Sequence, residues 1–332
     1  MSTILSNRVQ KVKPSATMAV SDKAKELKSQ GIQIISMGSG EPDFDTPTNI
    51  QKAAIHAIGA GETRYTPADG TAELKKAVCE KFKRENGLDY SANEVMVSCG
   101  GKQVFYNLCQ AILNEGDEVI IPSPYWVSYP DMAILADATP IFIDAGLDQD
   151  FKISPEQLEA SITRKSKLLV LNSPSNPTGS VYSRSEIEAL GVVLERHPNV
   201  FIISDDIYEH IRWGDDEFVN IAMACPKLKD RTVILNGVSK AYAMTGWRIG
   251  YAAGPGAVIK AMKKIQGQST SNPSSISQAA ALEAISGDQS FIKMMVEAFE
   301  RRHEFLVESL NAIDGIECPR SGGAFYSFPR VQ

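Results

Sequence analysis

Seven short apolar runs, separated by longer helical patterns, constrain the fold of this chain more than any other feature of its sequence. Several runs are apolar without alternation, as expected for strands that are buried on both faces. The repeated strand–helix–strand order predicts an α/β fold with a mostly parallel, seven-stranded sheet flanked by helices. The predicted strands are residues 94–98, 118–122, 140–143, 168–172, 200–204, 232–235 and 248–252, and the predicted helices between and after them are residues 102–113, 128–136, 155–161, 183–196 and 257–266.

A second, smaller unit is predicted around the C-terminal part of the sequence. The 332 residues are many for one compact core, and Gly287–Asp288 breaks the α/β pattern. A long amphipathic helix over residues 289–312, glycine-rich turns and a strand over residues 324–328 follow. We therefore predict a large domain of residues 48–288, with residues 1–47 and 289–332 forming an N-terminal arm and a smaller α+β domain.

Composition excludes several classes of function. The net charge is −6 and no basic stripe is present, so the chain is a poor candidate for binding nucleic acid. The five cysteines are widely spaced and none has metal-ligand spacing, which predicts reduced thiols and no metal site. The sequence shows no apolar run of membrane-spanning length and no secretory signal, so the expected location is the cytoplasm.

Lys240 is the first residue that suggests chemistry. It follows a predicted buried strand and precedes a loop rich in glycine and aromatic residues, so it does not lie on a solvated helix face. A lysine at such a position can have a lowered pKa and act as an amine nucleophile. Taken alone, Lys240 is more simply explained as an ordinary loop lysine exposed to water.

Polar residues at other strand ends are expected at the same edge of the sheet, where α/β proteins bind ligands. Asp205 ends a predicted strand and is followed by Tyr208; taken alone, the acid is best explained as a helix cap. Asn176 follows the next strand back along the chain, within a proline-rich turn. Gly100–Gly101 opens a helix whose backbone amides could bind a phosphate, although glycine pairs are often only turns.

Six ordered segments together resemble the class I aminotransferases of the fold-type-I pyridoxal-phosphate superfamily, and in particular the bacterial aspartate and aspartate/prephenate aminotransferases. The resemblance covers essentially the whole chain. Each segment alone would be weak evidence, but six in one order are a specific match. They are Lys13–Thr17, Gly40–Pro47, Tyr65–Pro67, Ser123–Pro130, Asn176–Gly179 and the segment around Lys240.

The resemblance implies a fold-type-I architecture, a large domain that binds pyridoxal 5'-phosphate, and a role for each matching residue. Lys240 would hold the cofactor as a Schiff base and then shuttle a proton between the substrate Cα and cofactor C4′. Around the ring, Asp205 would pair with the pyridine nitrogen, Tyr208 and Asn176 would bind the ring oxygen, and Trp126 would stack on the ring face. Backbone donors of Gly101, Lys102 and Gln103, with Ser239 and Arg248, would bind the phosphate.

The resemblance also implies a homodimer with shared active sites, because Tyr65 would reach the phosphate bound in the partner subunit. Substrate would lie near Gly40, Trp126, Asn176, Thr17 and Lys13, and the position of Lys13 is linked to the use of prephenate in this subgroup. The implied reaction is transamination of L-aspartate with 2-oxoglutarate to oxaloacetate and L-glutamate, with prephenate as a possible further substrate.

The sequence departs from the family pattern at two places. Gly237 stands where a small hydroxyl residue is usual, so one phosphate contact is expected to be missing. The arginine that pairs with the substrate carboxylate in this family lies beyond the segment that corresponds to residues 323–326, and no residue up to Gln332 can take that role. A chain of this extent is therefore expected to bind cofactor better than it turns over substrate.

Three alternatives remain from the sequence. The same fold and the same Lys240 and Asp205 serve aromatic and alanine aminotransferases and carbon–sulfur lyases. A truncated, cofactor-binding form with little activity is a third reading. A regulator with an added DNA-binding domain is disfavoured, because nothing before Val12 provides room for such a domain.

Overall fold

A seven-stranded sheet forms the centre of the computed structural model, which describes residues 4–14, 16–38, 40–214 and 217–332, with backbone only for residues 16–18. The sheet strands are β1 (Val95–Ser98), β2 (Glu118–Ser123), β3 (Thr139–Asp144), β4 (Ser166–Asn172), β5 (Phe201–Asp205), β6 (Thr232–Gly237) and β7 (Gly250–Ala253). A separate two-stranded ribbon pairs β8 (Ile316–Glu317) with β9 (Arg330–Val331). All seven predicted sheet strands are confirmed, with ends that differ by no more than two residues.

The strand order is β1-β7-β6-β5-β4-β2-β3, and β7 is the strand that runs antiparallel to its neighbours. The other pairings, from β6 through to β3, are parallel. The mostly parallel sheet is therefore confirmed. Its parallel strands bring the residues that follow β2, β4, β5 and β6 to one edge, which is where such sheets bind ligands.

Helices flank the sheet, as predicted. The helices of the described residues are α1 (Asn7–Lys11), α2 (Ala16–Ser29), α3 (Thr48–Gly59), α4 (Ala72–Asn86), α5 (Gly101–Ile112), α6 (Ser128–Leu135), α7 (Pro155–Ser161), α8 (Arg184–Arg196), α9 (Ile221–Ala224), α10 (Gly256–Gly267), α11 (Ser275–Ser286) and α12 (Ser290–Asn311). The predicted helices correspond to α5, α6, α7, α8, α10 and α12. Local sequence explains several of their starts: Ser183 and Glu186 form a capping box that satisfies the first amides of α8.

The strand predicted over residues 324–328 is wrong. Ala324 has a φ of 57°, in the left-handed region, so the backbone turns away from an extended course at this point. Gly323 makes only an isolated bridge to Arg212. Among the described residues from 323 onward, regular strand pairing occurs in β9. The rings of Phe325 and Tyr326 instead pack edge-on against the ring of Tyr208. These aromatic residues, which suggested a strand, therefore contribute to tertiary packing.

Packing between α12 and the segment after β5 ties the C-terminal part of the chain to the sheet. Met295 and Phe299 of α12 form a buried cluster with Tyr208, Ile211 and Ala324. The division into residues 48–288 and a smaller unit stays a prediction. Within the part of the chain described by the structure, none of the helices has the length and apolar character needed to cross a membrane.

Candidate active site

A cavity of about 620 Å³ lies at the edge of the sheet where the parallel strands end. Ten of the residues predicted from the sequence line it: Gly40, Gly101, Lys102, Trp126, Asn176, Asp205, Tyr208, Ser239, Lys240 and Arg248. A larger cavity of about 780 Å³, lined by Lys152, Trp213 and Arg320 among others, contains none of them. We place the site in the smaller cavity, because the amine of Lys240, the buried carboxylate of Asp205 and the start of helix α5 meet there.

The amine of Lys240 projects into this cavity from the loop that follows β6. Its Nζ donates a hydrogen bond to the carbonyl oxygen of Gly40 at 2.5 Å and lies 5.7 Å from the ring centres of Tyr208 and Phe325. Burial lowers the pKa of Lys240 to about 8, and the positive charge of Arg248 acts in the same direction. A substantial fraction of this amine is thus neutral near neutral pH, as a nucleophile requires.

Asp205 ends β5 as a buried carboxylate aimed at the cavity. Its Oδ2 accepts a hydrogen bond from the hydroxyl of Tyr129 at 2.5 Å, and its Oδ1 accepts one from the backbone amide of Ile207 at 3.3 Å. Burial raises the pKa of Asp205 to about 6, although these donors and the charge of Lys240 act against the rise. A buried acid of this kind gains from a cationic partner, so the site favours a positively charged group opposite Asp205.

Tyr208 and Tyr326 form a hydrogen-bonded pair on another wall of the cavity. Their hydroxyl oxygens lie 2.6 Å apart, and both side chains are largely withdrawn from water. Burial raises the pKa of Tyr326 to about 12, so its hydroxyl stays protonated at neutral pH. A side chain at Gly40 could not fit against this pair, because its Cβ would lie 2.5 Å from the Tyr326 oxygen.

One end of the cavity is built to bind an anion. Helix α5 begins at Gly101, so its first amides face the cavity with the positive end of the helix dipole. The guanidinium of Arg248 donates to the carbonyls of Thr245 and Cys99 and forms no ion pair with any residue that the structure describes. Gly100, with a φ of 91°, allows this approach, since a Cβ there would lie 2.2 Å from Nη2 of Arg248.

Trp126 and Asn176 complete the walls. The ring of Trp126 lies 5.1 Å from Nζ of Lys102 and packs edge-on against Tyr129. Asn176 is held through its backbone amide, which donates to Oδ1 of Asn172 at 2.7 Å, and this leaves its own side-chain amide at the cavity. Asn172 also donates to the backbone carbonyl of Asp205, so two strand ends are joined directly beneath the site.

Three predicted residues are not brought into the cavity. Gln103 was predicted to bind phosphate through its backbone amide, but that amide donates to the carbonyl of Gly100. Its side chain accepts from the amide of Cys99 and donates to Thr270. Tyr65 is 92% exposed, and Lys13 is also exposed, on the N-terminal segment. The side chain of Thr17 lies outside the described residues.

Gly237 has no room for the hydroxyl side chain that the family pattern suggested. A Cβ on this residue would lie 2.9 Å from the Cα of Gly250 and 3.0 Å from the carbonyl oxygen of Ile249. The close approach of β6 to β7 therefore requires glycine here. Any phosphate held in this cavity must rely on Arg248, Ser239 and the start of α5 instead.

Several cavity residues were missed from the sequence. Tyr129, Asn172 and Tyr326 contribute the hydrogen bonds that fix Asp205 and Tyr208, and Glu41 brings a second carboxylate to the cavity. Glu41 and Tyr129 lie within the family-like segments Gly40–Pro47 and Ser123–Pro130 but were given no role. The spacing between Trp126 and Tyr129, close to one helical turn, was a further local signal for Tyr129.

A group of possible metal ligands, Glu85, Glu209 and His210, lies outside the cavity. The ammonium of Lys81 already occupies the place of a cation there, because it pairs with Glu209 and lies 3.5 Å from Oε2 of Glu85. A divalent ion would have to displace a fully buried lysine charge. We therefore assign no metal to this group.

Comparisons with known proteins agree with this geometry. Residues 32–332 match the family described as aminotransferase class I and II. The chain is 58% identical over 328 residues to the aspartate/prephenate aminotransferase of Nitrosomonas europaea. This match covers 99% of this chain and 83% of that protein. It is 57% identical over 327 residues to the enzyme of the same name from Cereibacter sphaeroides, covering 98% of this chain and 82% of that protein.

Solved structures give the same result. The aspartate aminotransferase from Rhizobium meliloti superposes with a TM-score of 0.96 at 49% identity, covering 98% of this chain and 82% of that one. The aspartate aminotransferase from Thermus thermophilus with maleate superposes with a TM-score of 0.94 at 45% identity, covering 98% and 85%. The predicted family and fold type are confirmed: this chain belongs to the class I and II aminotransferases.

Proposed function

We propose that the chain uses pyridoxal 5'-phosphate to transfer the amino group of L-aspartate to 2-oxoglutarate, giving oxaloacetate and L-glutamate, and that prephenate is a further oxo-acid substrate. The observation that carries the proposal is the placement of Lys240 and Asp205 in one cavity with an anion-binding end. When bound, the cofactor supplies an aldehyde that reacts with amines and a ring that accepts electrons.

The residues of the cavity fit this cofactor at three separate points. Arg248, Ser239 and the first amides of α5 are suited to the phosphate, because Arg248 forms no ion pair among the described residues and the helix end is positive. Asp205 is suited to the protonated ring nitrogen, since that partner would relieve the cost of its burial. Tyr208 and Asn176 line the same cavity, and we propose that they donate to the ring oxygen.

Lys240 is the residue that we propose moves the proton. Its lowered pKa lets the free amine take the proton from the substrate Cα and return it at cofactor C4′. Asp205 would keep the ring nitrogen of a bound cofactor protonated, and Trp126, which lines the same cavity, would cover one face of its ring. Gly40, whose carbonyl oxygen accepts from Lys240, borders the space left for the substrate carboxylate.

The relatives support a dicarboxylic substrate. Two with 57% and 58% identity carry the name aspartate/prephenate aminotransferase, and others at 52–55% carry it as a probable one. The Thermus thermophilus enzyme was solved with maleate, a dicarboxylate. The cytoplasm remains the predicted location.

A panel of amino donors against oxo acids tests the substrate. We expect the highest kcat/KM for aspartate with 2-oxoglutarate, and measurable turnover with prephenate and an acidic amino donor. Faster cleavage of cystathionine than transamination of aspartate would contradict the proposal. Cofactor binding is tested separately: the wild-type protein should show a yellow absorbance band that borohydride and Lys240→Ala both abolish.

We further propose that the enzyme is a homodimer in which Tyr65 completes the neighbouring site. Its 92% exposed side chain lies outside the cavity of its own chain, so a role in cofactor binding requires a second copy. Chains that carry Lys240→Ala and chains that carry Tyr65→Ala should each be weakly active alone. Mixing them should restore activity, because each hybrid dimer then contains one site without either defect. No recovery in verified hybrids would exclude the shared site.

A further inference from the structure

We propose that Glu209 is a positioning residue, whose buried carboxylate sets the distance between Lys240 and the segment that carries Asp205 and Tyr208. The inference rests on the proposed cofactor function. Glu209 follows Tyr208 directly and lies four residues after Asp205, but it points away from the cavity and touches none of the residues assigned to the cofactor.

The contacts of this one carboxylate join three separate elements. Its Oε1 accepts from Nδ2 of Asn236 on β6 at 2.7 Å and pairs with Nζ of Lys81 on α4. Its Oε2 accepts from Nδ2 of Asn86, at the end of α4, at 2.9 Å. The segment after β5 is thereby fixed both to β6 and to α4.

Asn236 carries the connection onward to Lys240. It lies four residues before Lys240, and its Oδ1 also accepts from the backbone amide of Gly237 at 2.7 Å. The backbone amide of Asp206 donates to the carbonyl of Leu235 at 2.9 Å, so the segment after β5 is held against the end of β6 at Asp206 as well as at Glu209. The two catalytic segments are thus linked behind the cavity through Glu209 and Asn236.

Stability alone is a poor reason for this arrangement. The side chains of Lys81 and Glu209 are 0% and 4% exposed, and burying two charges costs about as much as their attraction returns. Burial opposes ionisation of Glu209, yet the charge of Lys81 leads a group of contacts that lowers its pKa, so the carboxylate is charged. A buried network whose groups are all hydrogen-bonded does, however, specify one geometry, which an apolar pair would not.

A second buried carboxylate provides a matched control. Asp69 is 5% exposed and holds Lys75, which also belongs to α4, together with Lys263 of α10. It touches neither the segment after β5 nor the end of β6. Asp69→Ala should therefore remove a buried ion pair from the same helix without moving Lys240 relative to Asp205.

The test compares holoenzymes of wild type, Glu209→Ala and Asp69→Ala by three measurements: melting temperature, the dissociation constant of pyridoxal 5'-phosphate, and the pH midpoint of the bound-cofactor absorbance. Both variants should melt at lower temperature. Only Glu209→Ala should weaken cofactor binding, by about tenfold or more, the effect typical of residues that orient a binding group indirectly. It should also shift the pH midpoint.

A double variant that keeps the hydrogen bond to Asn236 but removes the charges of Lys81 and Glu209 distinguishes a positioning role from an electrostatic one. Lys81→Met with Glu209→Gln keeps an acceptor for Asn236 but removes both charges, so we expect it to recover most of the cofactor affinity that Glu209→Ala loses. If Glu209→Ala does not fold, Asn236→Ala cuts the link to β6 alone and should shift the pH midpoint in the same direction.

Two results would overturn the inference: Glu209→Ala or Asn236→Ala with an unchanged pH midpoint and cofactor affinity within twofold of wild type, or equal losses of affinity in Glu209→Ala and Asp69→Ala. A wild-type protein that shows no cofactor absorbance would contradict the proposed function instead, and the two failures are therefore distinguishable.

Discussion

The hydroxyl of Tyr129 donates a hydrogen bond to Oδ2 of Asp205 at 2.5 Å, and both groups are buried beneath the cavity. Burial raises the pKa of Tyr129 well above its ordinary value, so this hydroxyl is always a donor at neutral pH. A donor stabilises the charged form of the acid. Tyr129 therefore acts through Asp205, by keeping a carboxylate available in surroundings that favour its protonation.

Replacing Tyr129 with Phe should weaken cofactor binding. A hydrogen bond to a charged group contributes about 1.5–3 kcal/mol, so we expect the dissociation constant of pyridoxal 5'-phosphate to rise by roughly tenfold or more. The dissociation constant can be measured by absorbance titration of cofactor-free protein. Tyr182→Phe is the control, because Tyr182 is also buried but its hydroxyl accepts from the amide of Ile153, outside the cavity. Equal affinities in Tyr129→Phe and Tyr182→Phe would contradict the assignment.

Asp205→Asn should stabilise the cofactor-free protein while it weakens cofactor binding. Burial raises the pKa of Asp205 from 3.8 to about 6, so between these values the folded state holds a proton that the unfolded state has released. Stability is therefore lost as pH rises from about 4 to 6, by roughly 2–3 kcal/mol at most, and Asn avoids that loss.

Urea unfolding at two pH values measures this effect. At pH 7 the Asn variant should unfold at higher urea concentration than wild type, and below about pH 4 the difference should disappear because the acid is then neutral in both states. The same variant should bind pyridoxal 5'-phosphate more weakly at pH 7. A variant that is less stable than wild type at pH 7 would show that Asp205 is favourably charged without a ligand.

The sheet could be predicted from the sequence because burial on both faces leaves an apolar run that is visible locally. Asp205, Asn176 and Lys240 could also be predicted as site residues, since each lies at or a few residues beyond the end of such a run and parallel strands bring their ends together. Ala324 shows the limit of this reasoning. Its left-handed φ turns the backbone at the start of an aromatic stretch that otherwise has the composition of a strand, and nothing in the residue type indicates that conformation.

The contacts that orient the site could not be predicted, because they join residues distant in sequence. Tyr129 and Asp205 are 76 positions apart, Tyr208 and Tyr326 are 118 apart, and Lys81 and Glu209 are 128 apart. Each is formed only when helices and loops are packed on the finished sheet. Local patterns therefore identified the residues that point at the ligand better than the residues that hold them in place.

Gly100→Ala should damage the anion-binding end of the cavity. Gly100 has a φ of 91°, and a Cβ there would lie 2.2 Å from Nη2 of Arg248, so the guanidinium must move. Gly116→Ala is a matched control, because Gly116 has a φ of 88° but open space around it. Both changes should lower stability by about 1 kcal/mol or more, since alanine is strained at such angles.

Only Gly100→Ala should also weaken the binding of inorganic phosphate and of pyridoxal 5'-phosphate, while binding of pyridoxal, which lacks the phosphate, should change little. Calorimetric titration of cofactor-free protein with the three ligands checks this. Equal losses of phosphate and pyridoxal 5'-phosphate affinity in the two glycine variants would show that backbone strain causes the effect. That result would contradict a role for Arg248 in binding the phosphate.

The pH dependence of cofactor attachment should report the lowered pKa of Lys240. Only the neutral amine attacks an aldehyde, and burial lowers the pKa of this group from 10.5 to about 8. The rate of reaction of cofactor-free protein with pyridoxal should therefore rise about tenfold per pH unit below pH 8 and level off above it, well before an ordinary lysine would. Glu41→Gln should move the plateau to lower pH, because the charge of Glu41 raises the pKa of Lys240, whereas Arg248→Met should move it to higher pH. Stopped-flow absorbance measures the rates, and a plateau near pH 10.5 would show that the amine of Lys240 is not desolvated in the way its surroundings require.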